Sequence, residues 1–181
     1  MYYLRYFLLL LALCARFFVA CAQQPQNTAY QLYISQFKDL AIEQMQRYRI
    51  PASITLAQGL FESRAGQSRL ATVGNNHFGI KCHGWKGRSI NVDDDAIGEC
   101  FRAYDNAKQS YEDHSKFLRN NQRYAMLFQL SPTDYRGWAK GLKACGYATN
   151  PRYADNIINI IQLYHLDQYD RAKGYDRFMA D

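Results

Sequence analysis

The sequence predicts a mainly α-helical domain with some strand (α+β), in which helices pack around one core and a small β-hairpin stands to the side. Apolar residues recur at helical spacing in five stretches, and two short segments alternate apolar and polar residues about an acidic connection. At 181 residues with 48% hydrophobic content, the chain is long enough to bury a real core and too short for two comfortable domains.

The first 22 residues read as a secretory signal. Arg5 precedes an apolar run from Tyr6 to Cys14, and a second run ends in Ala20-Cys21-Ala22. Arg16 interrupts the apolar stretch, which argues against a stable membrane span. Cleavage after Ala22 is preferred over lipid attachment at Cys21, which follows Phe18-Val19-Ala20 in the manner of a lipoprotein box. Membrane association is expected only through such a lipid or through an uncleaved signal. Residues 23–28 form a polar linker containing Pro25, residues 29–170 the folded domain, and residues 171–181 a polar, charged tail.

Within the domain, Tyr33, Phe37, Leu40, Ala41, Met45 and Tyr48 mark a first core-facing helix. A second, amphipathic helix follows Pro51, with Ile54, Ala57, Leu60 and Phe61 on its apolar face and Gly66 as its stop. Glu62 falls on its last turn. The negative end of the helix dipole and the apolar neighbours Leu60 and Phe61 both favour a protonated carboxyl there, which suits a general acid. The alternative is a solvated surface glutamate.

Ser68 to Ala71 is expected as a short helical turn, and Gly74-Asn75-Asn76 as a tight turn tolerant of left-handed backbone. Phe78 and Ile80 begin an extended segment, and Trp85-Lys86-Gly87 marks a turn. Ser89 to Val92 and Glu99 to Tyr104 are the two strands of the hairpin, joined through Asp93-Asp94-Asp95-Ala96-Ile97-Gly98. Ser110 with Asp113 resembles an N-terminal cap, before a helix whose buried face carries Tyr111, His114, Phe117 and Leu118. Ser131-Pro132-Thr133-Asp134 opens a helix lined by Tyr135, Trp138, Ala139 and Leu142 and closed by Gly146. Asn150-Pro151 opens the last one, with Tyr153, Ile157, Ile160, Ile161 and Tyr164 inward.

Three blocks carry a family resemblance. Ala57, Gln58, Glu62 and Ser63, then Gly66, Ser68, Leu70 and Ala71, then Asn75, Asn76, Phe78, Gly79, Ile80 and Lys81 follow the order and spacing of one motif. FRAYDNAKQSYEDHSKFL, beginning at Phe101, and GYATNPRYA, from Gly146 to Ala154, supply the other two. Together they resemble the glucosaminidase family of peptidoglycan hydrolases, glycoside hydrolase family 73, which includes flagellar muramidase-like enzymes and autolysins. The resemblance implies a lysozyme-like helical fold whose hairpin forms one wall of a groove. It also implies an endo-β-N-acetylglucosaminidase that cuts between N-acetylglucosamine and N-acetylmuramic acid in peptidoglycan strands, without an organic cofactor.

Glycoside hydrolysis requires an acid for the leaving oxygen and, opposite it, a base, a nucleophile or the substrate's own acetamido group. Glu62 matches the family's catalytic glutamate. For the second group the family uses a hairpin glutamate, whereas this chain offers Asp93, Asp94, Asp95 and Glu99; Asp94 and Asp95 lie nearest by position, and Glu99 has the matching chemistry. Tyr147 and Tyr153 match the two tyrosines of the third block, one of which is expected in the groove, although Tyr153 also fits the helix stripe as a packed residue. Asn76, Phe78 and Trp85 are candidate glycan-binding residues through amide hydrogen bonding and ring stacking; Asn76 also suits the turn and Phe78 the core.

Beyond the signal only Cys82, Cys100 and Cys145 remain, and export permits disulfides. A bridge between Cys82 and Cys100 would clasp the segment between them, leaving Cys145 as a spare thiol. The formal charge of +6 is scattered, so no nucleic-acid-binding tract is evident, and it suits an anionic partner such as bacterial wall. No G-x-S-x-G, H-E-x-x-H or C-x-x-C pattern occurs, which argues against serine-hydrolase and metal chemistry. Nothing in the pattern sets an oligomeric state. A binding or scaffold protein of the same fold, and a lytic transglycosylase, are the competing readings.

Overall fold

Helix α1 (Thr28–Tyr48) starts where the Asn27 side chain accepts a hydrogen bond from the Ala29 N–H, and turns Tyr33, Ile34, Phe37, Ala41 and Met45 inward. The computed structural model describes residues 27–93 and 97–172. The signal, most of the linker, Asp94 and Asp95, and the tail beyond Ala172 lie outside the described residues. Arg49, with φ of 66°, ends α1 in a left-handed residue.

Helix α2 (Ala52–Ser63) departs from the amphipathic expectation. Every residue from Pro51 to Leu60 is buried, because α1, the last helix and the C-terminal 3-10 helix all pack on it. A helix enclosed on all sides must satisfy its polar groups inside the protein. Ser53 donates both its N–H and its hydroxyl to the Asp170 carboxylate, at 2.8 and 2.7 Å, and Gln58 donates to the Tyr153 hydroxyl at 2.8 Å. Gly59 lets α1 approach: a Cβ there would stand 2.5 Å from the Tyr33 hydroxyl oxygen.

The helix stops at Ser63, before the expected Gly66, and Arg64, Ala65 and Gly66 all take positive φ. Ser63 holds this sharp exit, its hydroxyl donating to the Gly59 carbonyl and accepting from Gly66 N–H. Helix α3 (Arg69–Gly74) follows with Ser68 as its cap, and Asn75, at φ of 48°, makes the expected left-handed turn.

Phe78 and Ile80 were expected to alternate along an extended segment. Both are buried instead, because the chain turns at His77–Phe78 around the Asn76 side chain. Strands β1 (Ser89–Val92) and β2 (Glu99–Arg102) then form the antiparallel hairpin in the register Ser89 to Arg102 through Val92 to Glu99, and Lys81 bridges to Phe101. The Cys82–Cys100 disulfide ties the approach segment to β2, and Cys145 carries a free thiol.

Helix α4 (Ala107–Asn120) begins three residues before the expected Ser110 cap. Asn106 caps it by accepting from Gln109 N–H, whereas Ser110 is buried within the helix and accepts from His77 N–H, and Asp113 is engaged by Arg102 and Tyr104. A 3-10 helix, Gln122–Gln129, comes next. Helices α5 (Tyr135–Ala144), capped by Asp134, and α6 (Tyr153–Leu163) complete the core, and the 3-10 helix Leu166–Arg171 brings Asp170 back to the start of α2.

Candidate active site

A groove of about 520 Å³ opens at the C-terminal end of α2. Phe61 and Glu62 come from α2, Leu70 from α3, Phe78 to Lys81 from the turn after Asn76, and Phe101 from the hairpin. The 3-10 helix adds Arg123 and Tyr124, the loop before α6 adds Gly146 to Asn150, and Tyr153 closes the floor. Glu62 is half-buried, and among the described lining residues it is the one carboxylate.

Two tyrosines lie within electrostatic reach of Glu62. Burial pushes the Tyr147 and Tyr153 phenols well above their usual range, and the nearby Glu62 charge pushes each further. Both are therefore neutral hydroxyls at any physiological pH, able to donate or accept a hydrogen bond but not to act as bases. Tyr153 is fully buried, its oxygen accepts from Gln58, and its ring lies 5.6 Å from that of Tyr147 and edge-on to Phe61.

The loop carrying Tyr147 is held from below. Gly146 enters it with φ of 74°, and the Lys143 ammonium donates to the Ala148 and Thr149 carbonyls at 3.0 and 2.9 Å. Lysine is suited to the task because one head group offers several donors to a turn that exposes successive carbonyls.

The remaining expected site residues divide sharply. Asn76 is buried and saturated: its amide nitrogen donates to the Ile80 and Arg102 carbonyls, and its oxygen accepts from the Phe78 and Ile80 N–H groups. With all four hydrogen-bonding positions taken, it shapes the groove wall and has none left for a glycan. Phe78 is also 4% exposed, yet lines the groove, stacked at 4.0 Å on the ring of His114, which burial keeps neutral by lowering its pKa to about 3.

Trp85, expected at the glycan, is not among the lining residues. It packs under the Arg102 guanidinium at 4.9 Å and edge-on to Tyr104, and its indole donates to the Arg88 carbonyl at 2.8 Å. A turn at His83–Gly84 precedes it, and His83 rather than Trp85 lines the groove.

Of the hairpin acids, Asp93 accepts from Gly98 N–H at 2.7 Å and is not among the groove-lining residues. Glu99 also stands outside the groove lining, and one of its oxygens lies 2.7 Å from the Lys81 ammonium. Sequence reasoning did not single out Lys81, Arg123, Tyr124 or Lys143 as site residues. The family motif contained Lys81, whereas the other three sit in segments with no chemical signature of their own. Among the described residues, no group of three or more His, Cys, Asp or Glu side chains gathers to hold a metal ion.

A helical core, a hairpin wall and a groove carboxylate at a helix end define a lysozyme-like domain. A family model for glucosaminidases, described as mannosyl-glycoprotein endo-beta-N-acetylglucosaminidase, matches residues 38–166, and the chain belongs to this family. Exo-glucosaminidase LytG of Bacillus subtilis is 33% identical over 155 residues, covering 78% of this chain and 54% of the relative. Peptidoglycan hydrolase FlgJ of Vibrio parahaemolyticus is 29% identical, covering 72% and 46%. The chain thus spans about half the length of these curated relatives.

Solved structures agree. The catalytic domain of the autolysin Auto from Listeria monocytogenes superposes with a TM-score of 0.70 at 28% identity, covering 86% of this chain and 95% of that one. The glycoside hydrolase domain of FlgJ from Salmonella typhimurium gives 0.63 at 26% identity, covering 75% and 88%.

Proposed function

We propose that the protein is an exported bacterial peptidoglycan hydrolase, an endo-β-N-acetylglucosaminidase that cuts the bond from N-acetylglucosamine to N-acetylmuramic acid. The observation that carries this reading is Glu62, the one carboxylate among the described groove-lining residues, half-buried at the end of α2 between Phe61 and the neutral Tyr147 and Tyr153. In this reading Glu62 protonates the leaving oxygen, and the Tyr147 hydroxyl orients the N-acetyl sugar or the incoming water.

The substrate's acetamido group supplies the second function, attacking from the face opposite Glu62. The pairing of Glu99 with Lys81 supports this, since it leaves that carboxylate outside the groove lining. Asp94 and Asp95 are the competing candidates, and their exchange for asparagine tests the choice: retained turnover supports the acetamido route.

Incubating the purified protein with purified peptidoglycan tests the activity itself. New reducing ends, with early shortening of long strands, are expected for an endo enzyme; release of only small terminal fragments would make it exo-acting. Peptidoglycan left intact across a pH series would overturn the reading in favour of a binding or scaffold protein.

A further inference from the structure

Among the described lining residues, three side chains bring formal charge to the groove at neutral pH: Glu62, Lys81 and Arg123. Lys81 has Glu99 at 2.7 Å, so much of its charge is neutralised within the protein. Arg123 differs. Among the described residues no acid lies within ion-pair distance of it, although the chain has 16 aspartates and glutamates to offer.

Arg123 is an exposed residue next to the buried Tyr124. Its guanidinium lies 5.8 Å from the centre of the Tyr124 ring, and Tyr124 itself is 1% exposed. Its backbone N–H donates to Asn121, which caps the 3-10 helix. One guanidinium nitrogen stands 3.9 Å from where a Cβ of Gly146 would be, beside the loop that carries Tyr147. A planar, permanently charged fork on an exposed residue of the groove wall can receive a carboxylate in bidentate fashion.

The geometry points to Arg123 as a specificity-determining residue that receives a carboxylate of the substrate, so that the groove prefers muramic-acid-containing glycan to a neutral polymer of N-acetylglucosamine. The shared chemistry has two sources in wall glycan: the lactyl carboxylate of muramic acid where no peptide is attached, and the carboxylates of the stem peptide where one is. This inference rests on the glycan-cleaving reading of the groove, and deepens it by naming the charged feature recognised.

The test measures both binding and hydrolysis by the full chain on three glycans of equal length: a chitooligosaccharide, a peptide-free peptidoglycan strand and a peptide-bearing strand. The parent should favour the carboxylate-bearing strands, and Arg123→Gln should reduce that preference about tenfold, mainly through Kd and KM, with Arg123→Lys intermediate. Loss confined to the peptide-free strand assigns the lactyl group, and loss confined to the peptide-bearing strand assigns the stem; either supports the inference. An unchanged preference, or an equal loss on all three glycans, overturns it and leaves Arg123 a packing partner of Tyr124. If the parent binds with this preference but hydrolyses nothing, the inference stands and the hydrolase reading falls.

Discussion

Asp170 secures the end of α2 opposite Glu62, and replacing it with asparagine gives a pH-dependent stability signature. Pro51 occupies the cap position of α2 and has no side-chain acceptor, so the Asp170 carboxylate, 117 residues away, takes the Ser53 N–H and hydroxyl instead. Burial, at 7% exposure, pushes its pKa from the ordinary 3.8 up to about 6, outweighing the hydrogen bonds that favour the charged form. The folded chain therefore keeps a proton that the unfolded chain has already lost. The resulting stabilisation is fully present below the unfolded pKa of 3.8 and is lost as pH rises through about 6.

At about 1.4 kcal/mol for each tenfold change in proton affinity, the change amounts to about 3 kcal/mol. Asp170→Asn keeps an acceptor for Ser53 and cannot ionise. Urea denaturation of both proteins, from about pH 4 to about pH 7, should show the parent losing about 2 kcal/mol of that relative to the variant, because at about pH 4 the unfolded carboxyl is already partly ionised. A constant difference across that range, or a parent that gains relative stability as pH rises, would refute the reasoning; the second outcome would make the ionised carboxylate the favoured cap.

Three other perturbations probe the groove. Breaking the Cys82–Cys100 bridge, at a sequence separation of 18, by the paired Cys→Ser exchange should cost about 3 kcal/mol in denaturant, on the loop-entropy estimate. Lys143→Met removes both bonds to the Ala148 and Thr149 carbonyls, and should lower kcat/KM about tenfold with the far-ultraviolet dichroism unchanged. Tyr153→Phe leaves the Gln58 amide without its acceptor, and should destabilise by about 1–3 kcal/mol while the folded fraction loses less than about tenfold in kcat. A loss of about a hundredfold or more would instead place that hydroxyl in the reaction.

Local pattern made the helices and hairpin legible because their apolar periods are strong and their ends carry turn residues. It made the disulfide legible because Cys82 and Cys100 bracket the segment they clasp. What remained hidden depends on distant partners. Ser110 and Asp113 look like a cap in sequence, yet His77, Arg102 and Tyr104, at 33, 11 and 9 residues' separation, claim them, and the actual cap is Asn106. The 3-10 helix with Arg123 and Tyr124 is too short for a clear period, though Asn121 as cap, followed by Tyr124 and Leu127 at a spacing of three, was a usable signal. Glu62 was located correctly on the last turn, whereas the saturation of Asn76 and the position of Trp85 outside the groove lining follow from a chain path that no local spacing encodes.

The central claim, that Glu62 cuts wall glycan as a general acid, is tested most directly by mass spectrometry of the fragments released from purified peptidoglycan by the parent and by Glu62→Gln. The account predicts reducing N-acetylglucosamine ends from the parent and none from the variant. Anhydro-sugar ends, equal release by both proteins, or intact glycan from both would contradict it.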